Sequence, residues 1–154
     1  MISSSNILLK RGTIKAMKSF FSQYPFVDFV VLFGSVAKQK TNRFSDIDVG
    51  IFTDRELRLL EVGYLAAQLE KKLKVRVDLI VLNDLFKKKP NFTFQIIKDG
   101  IPIFFGDESK WIEYKRKVYL YFLDTQHLRR EMDFNFRKRL ESGNFANARK
   151  AQTA

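Results

Sequence analysis

The chain has 154 residues, 45% of them apolar, 29% charged and 14% aromatic, with 16 Phe, which describes one folded domain with enough apolar mass for a core. It has no Cys and a single His, so disulfide scaffolds, thiolate zinc sites, Cys nucleophiles and multi-His metal centres are excluded. Twenty-eight Lys and Arg against 17 Asp and Glu leave a formal charge of +11, a surplus that attracts polyanions such as nucleic acid, nucleotides or an acidic protein face, or simply solvates the surface. No apolar run approaches the ~18 residues of a membrane helix, and the amino-terminal residues lack the order of a secretory signal. The expectation is a cytoplasmic protein with no membrane association.

In chain order, Ile14, Met17, Phe20 and Phe21 recur at helical spacing, and this helix stops before Pro25. Val27 to Phe33 is β-branched and aromatic and runs into Gly34, as a buried strand feeding a tight turn does. Asp46 to Phe52 alternates carboxylates with Ile47, Val49 and Ile51 and reads as a second strand. Thr53-Asp54-Arg55-Glu56 has capping-box spacing and predicts a helix from there to about Lys74, with Leu57, Leu60, Tyr64, Ala67, Leu69 and Leu73 on its apolar face. Val75 to Leu82 is a third strand interrupted by Arg76 and Asp78. Asn91 to Lys98 is a short helix, and Ile101 to Phe105 is a strand that Pro102 assigns to a sheet edge. From Asp107 a long helix carries a stripe of Trp111, Tyr114, Val118, Tyr121, Thr125, Leu128 and Met132. The expected fold is therefore α/β (α+β), a small mixed sheet flanked by helices with a long C-terminal helix.

The chemistry gathers between residues 34 and 78. Asp46 and Asp48 are two apart on one strand, so they share a face about 6.6 Å apart along it. Two carboxylates so placed repel unless a cation lies between them, and a hard cation with oxygen ligands, Mg²⁺, suits them. Asp78 is a third carboxylate in an otherwise apolar strand. If the two strands are neighbours, Asp46, Asp48 and Asp78 can hold two ions about 3.5–4 Å apart, the clamp used in phosphoryl displacement. Gly34 and Ser35 end a strand and open a turn, where a bare backbone and free N–H groups meet phosphate oxygens. Lys38, Lys40 and Arg43, between that turn and the carboxylates, can bind the outer phosphates of a nucleotide. Each element alone has an ordinary explanation: Asp-x-Asp as turn residues, Asp78 as a paired buried acid. Their coincidence is what carries the reading.

Gly34-Ser35, ten residues, then Asp46-Ile47-Asp48, with Asp78 in a later strand, resembles the signature of the polymerase β-like nucleotidyltransferase superfamily. The layout over residues 10–140 is most similar to the minimal nucleotidyltransferases, and among them to the MntA-like antitoxins encoded beside HEPN-family (HepT) toxins. The resemblance implies that Gly34 and Ser35 bind nucleotide phosphates and that Asp46 and Asp48 bind Mg²⁺. Asp78 would complete the metal site and help deprotonate the acceptor hydroxyl. The common family form has Arg-Gly where this chain has Lys38-Gln39, which keeps a positive charge and loses a glycine. The resemblance further implies transfer of AMP from ATP to a tyrosine of a HEPN-family ribonuclease toxin, with the two proteins in a hetero-oligomer and RNA met only indirectly or weakly. Two alternatives stand beside it: an antitoxin that neutralises by stoichiometric binding, and a transferase acting on RNA or a small molecule. The division expected is a catalytic domain at 1–106, a helical extension at 107–142 and a tail at 143–154. His127 is expected to be a partly exposed helix residue and the run Lys87-Lys88-Lys89 a solvated loop.

Overall fold

The computed structural model describes residues 11–34 and 46–143. Ser35, Lys38, Lys40 and Arg43 lie outside the described residues, as do positions 144–154. In chain order the elements are α1 (Arg11–Ser22), β1 (Val27–Phe33), β2 (Ile47–Thr53), α2 (Leu59–Leu73), β3 (Val77–Val81), α3 (Leu85–Lys88), α4 (Pro90–Asp99), β4 (Ile101–Phe105) and α5 (Glu108–Glu141). The four strands form one mixed sheet in the order β3-β2-β1-β4. β1 runs antiparallel to both β2 and β4, whereas β2 and β3 are parallel. Pro102 does sit in an edge strand, where its missing N–H costs no ladder bond.

Alternation along β1 and β2 sends side chains to two faces, and each face has its own helices. On one face Val30, Leu32, Ile47, Val49 and Ile51 pack with Met17, Phe20 and Phe21 of α1 and Leu65 and Leu69 of α2. On the other Phe29, Val31 and Phe33 pack with Leu82, just after β3, and with Phe86, Ile96, Ile97, Trp111, Tyr114 and Val118 from α3, α4 and α5. The layers interlock closely at Gly50, where a Cβ would stand 2.9 Å from Leu82 Cδ1. Every fully buried side-chain polar atom among the described residues has a partner. The Tyr114 hydroxyl, pushed well above the usual phenol range by burial and by Asp84, donates to the Leu82 carbonyl.

Two expectations for α2 are corrected. The helix begins at Leu59, not at Thr53. Thr53 is instead the last residue of β2, opposite Val27, and its N–H donates to Asn83 Oδ1 at 3.0 Å while Asn83 Nδ2 returns a bond to the Thr53 carbonyl at 2.7 Å. Glu61 closes the helix start, accepting from the Arg58 N–H at 2.8 Å and from Arg55 at 2.9 Å. The buried face differs in part from the one the spacing indicated: Leu69 of that face is buried and Leu57 and Leu73 pack against the core, but Leu65 joins them while Leu60 is 87% and Tyr64 61% exposed. The helix carries two apolar stripes, and the sheet covers only one.

α5 divides along its length. Its 34 residues begin at an Asp107 cap that accepts from the Ser109 N–H at 3.0 Å. Trp111, Tyr114 and Val118 are buried, as the stripe predicted, but Leu128 is 59% and Met132 71% exposed, so the stripe leaves the core midway. Among the described residues no helix is long and apolar enough to cross a membrane.

Candidate active site

The strand pairing brings together residues that the sequence separates. Asp48 is the register partner of Phe33 on one side and of Asp78 on the other. The two carboxylate-bearing backbones are therefore one strand spacing, about 4.8 Å, apart. Asp46 lies just before β2, two residues ahead of Asp48. Asp46 and Asp78 are exposed and Asp48 is half-buried, so the three mark a rim where the sheet meets solvent. The chain's parallel β2–β3 pair is what produces this: both strands start at the same end, and both carry an Asp as their second residue.

Gly34 completes the corner. It follows directly on β1 with φ +70, and a Cβ built there would stand 2.0 Å from Asp48 Oδ2. Both facts require glycine. The left-handed backbone turns the chain off the sheet, and the bare Cα leaves the Asp48 carboxylate its room. The arrangement joins the Gly34 turn to Asp48 by contact.

The electrostatics at Asp48 are unfavourable to its charged form. The Asp48 carboxyl is held above its ordinary value, first by burial and then by the negative charges of Asp78 and Asp46. Among the described residues the charges acting on it are both negative. A divalent cation bound by the carboxylate oxygens would relieve both the burial and the repulsion, so the donor set suits Mg²⁺. Among the described residues no group of three or more acidic, His or Cys side chains is already drawn together closely enough to hold an ion, so the carboxylates stand as neighbours and not as a closed cage.

Two features of this end and its opposite were not foreseen. Beside the carboxylates, the ring of Phe92 in α4 meets Phe33 edge-on, with centroids 5.9 Å apart at 82°. At the far end of β2 and β3, a cleft of about 360 Å³ is lined by Phe52, Asn83, Asp84, Phe86, Lys110 and Tyr114, among others. No spacing in the sequence marks either feature, because each joins residues from separate elements. His127 lies exposed on α5 with Nδ1 3.6 Å from Glu131, away from the carboxylates, and Lys87 and Lys88 form the exposed end of α3.

Comparison with known proteins agrees with this geometry. Residues 15–109 match the family model for the polymerase beta nucleotidyltransferase domain. Among solved structures, a toxin–antitoxin with AMP-PNP superposes with a TM-score of 0.69 at 20% identity, covering 80% of this chain and 97% of that one. The toxin–antitoxin MntA–HepT gives 0.66 at 18% identity, with 82% and 98% covered. A tri-AMPylated Shewanella oneidensis HEPN toxin in complex with its MNT antitoxin gives 0.65 at 18% identity, with 82% and 97% covered. No curated protein matches the sequence significantly. The family model spans more than half of the chain and includes Gly34, Asp46, Asp48 and Asp78, and the chain belongs to the polymerase beta nucleotidyltransferase family.

Proposed function

We propose that this chain is a Mg²⁺-dependent antitoxin that transfers AMP from ATP to a tyrosine hydroxyl of a cognate HEPN-family ribonuclease toxin and so silences it. The observation that carries the reading is the register pairing of Asp48 with Asp78, with Gly34 in contact with the Asp48 carboxylate. The solved structures it resembles supply the direction: a toxin–antitoxin with AMP-PNP, and an AMPylated HEPN toxin beside its antitoxin.

In the reaction the tyrosine oxygen attacks the α-phosphorus in line. A new O–P bond forms, the bond to the bridging oxygen breaks, pyrophosphate leaves with that electron pair, and the phenolic proton is released. Asp46, Asp48 and Asp78 would hold Mg²⁺, which supplies charge neutralisation at the attacking and leaving oxygens. Asp78, exposed at the rim, would receive the phenolic proton of an acceptor arriving from solvent. Gly34 leaves its backbone open to the phosphates, and Ser35, Lys38, Lys40 and Arg43 would contact them from the segment that follows. Residues 1–106 form the catalytic part in this reading, 107–142 the helical extension and 143–154 the tail. The acceptor hydroxyl comes from another molecule in an oligomer of the two proteins, in the cytoplasm.

Incubation of the chain with α-labelled ATP, Mg²⁺ and the toxin encoded beside it is the test. Label on the toxin that Asp46→Asn or Asp48→Asn abolishes is expected; no transfer by the wild type would sink the reading. A second reading, neutralisation by binding alone, is favoured by the exposed apolar residues Leu123, Leu128, Met132 and Leu140 on the outer half of α5. It requires that an Asp46/Asp48 double variant still protect cells from the toxin.

A further inference from the structure

We propose that Phe92 is the platform on which the nucleobase of the nucleotide substrate stacks, with Lys89 as a displaceable cover; this rests on the AMP-transfer reading and adds where the base lies. Phe92 is 43% exposed on a helix that buries Thr93, Ile96 and Ile97. Exposed aromatics are common singly and signify nothing by themselves. Phe92 differs in its neighbours. Its ring rests against Phe33, 5.9 Å away and nearly perpendicular, and Phe33 is both the residue before Gly34 and the register partner of Asp48. A nucleotide held by its phosphates at Asp48 and Gly34 therefore has an exposed aromatic ring against the residue that precedes Gly34.

The platform is built on a rigid support. Pro90 fixes the first turn of α4, and both the Thr93 N–H, at 3.0 Å, and the Thr93 hydroxyl, at 2.8 Å, donate to the Lys89 carbonyl. Phe92 is thus held between a buried helix turn and Phe33, which is how a stacking surface stays in place before its ligand arrives. The Lys89 ammonium stands 5.9 Å from the Phe92 centroid, at the outer limit of a cation–π contact, and forms no ion pair among the described residues. A contact that loose yields to a base. Stacking reads the π-face that every base has, so the platform confers affinity for nucleotides over bare polyphosphate and little preference among purines.

Calorimetric titration of the full chain in Mg²⁺ with ATP, and separately with inorganic tripolyphosphate, tests this with three proteins. Phe92→Ala is expected to weaken ATP binding about tenfold or more, the scale of losing one base–aromatic stack, with tripolyphosphate unchanged. Phe92→Tyr keeps the ring and should stay within about threefold of wild type for both ligands. Equal ATP affinity in wild type and Phe92→Ala overturns the platform, as does a parallel loss for ATP and tripolyphosphate, which marks a structural role instead. A wild type that binds neither ligand overturns the platform and the transferase reading together. Phe92-dependent ATP binding without transfer to the toxin upholds the platform and overturns only the transferase reading.

Discussion

At Asp48 two unfavourable terms meet, burial and the charges of Asp78 and Asp46, and both raise its carboxyl above the ordinary range. A carboxyl whose folded pKa exceeds its unfolded value costs nothing below the unfolded value near 3.9, and the cost grows as pH rises through the folded one. Asp48→Asn should therefore raise Tm at pH 7.5 relative to wild type, with the difference closing toward pH 4, while AMP transfer falls at least about 10²-fold. Thermal unfolding at the two pH values, with the labelling assay, checks both halves. Added Mg²⁺ should raise the Tm of wild type and not of the variant. Gly34→Ala is the complementary change. The left-handed backbone alone makes it cost about 1–2 kcal/mol in denaturant unfolding. The overlap with Asp48 Oδ2 is resolved by moving that carboxylate, so activity should fall further than stability.

Among the elements, α2 shows how local signals are overruled. Thr53 has a capping residue's chemistry and a glutamate three positions on, yet it pairs with Val27 and bonds Asn83, because strand pairing and a two-way amide bridge satisfy more groups than a cap does. Its two apolar stripes are equally regular, and contact with the sheet alone chooses Leu65 and Leu69 over Leu60 and Tyr64. α5 makes a second test. Tyr114→Phe removes the bond to the Leu82 carbonyl, which still accepts from the Leu85 N–H at 3.2 Å. The expected loss is therefore modest, about 1 kcal/mol, read as a lower urea midpoint with unchanged slope.

Over the whole molecule, charge and apolar exposure coincide at the C-terminal end. Residues 110–154 carry 11 basic and 5 acidic groups, so +6 of the +11 lies there. On the outer half of α5 Leu128 and Met132 stand exposed beside Arg129 and Arg130. Leu128→Glu with Met132→Glu should leave Tm nearly unchanged, since neither side chain is in the core, and weaken capture of the toxin at least tenfold by surface plasmon resonance. Equal affinity would place the partner's contact elsewhere. Binding that weakens with added salt is expected of the same surface.

The strands, the edge position of Pro102 and the long C-terminal helix were legible because β-branched runs, a missing N–H and sustained helical spacing are local properties. The three aspartates and Gly34 stood out for a like reason: charge in an apolar strand, and a glycine ending one, are anomalies that a single segment displays. What they form together was not local. Only the parallel pairing of β2 with β3 set Asp48 beside Asp78, and only the antiparallel return from β1 set Gly34 and Phe33 against Asp48. The Phe92 contact and the Asn83 bridge, each spanning separate elements, had no sequence signal at all. Sequence by itself determined which side chains offer carboxylates and cationic groups, because that is side-chain chemistry. Tertiary structure decided which of them meet and which apolar stripes stay uncovered, because register and packing arise only between elements.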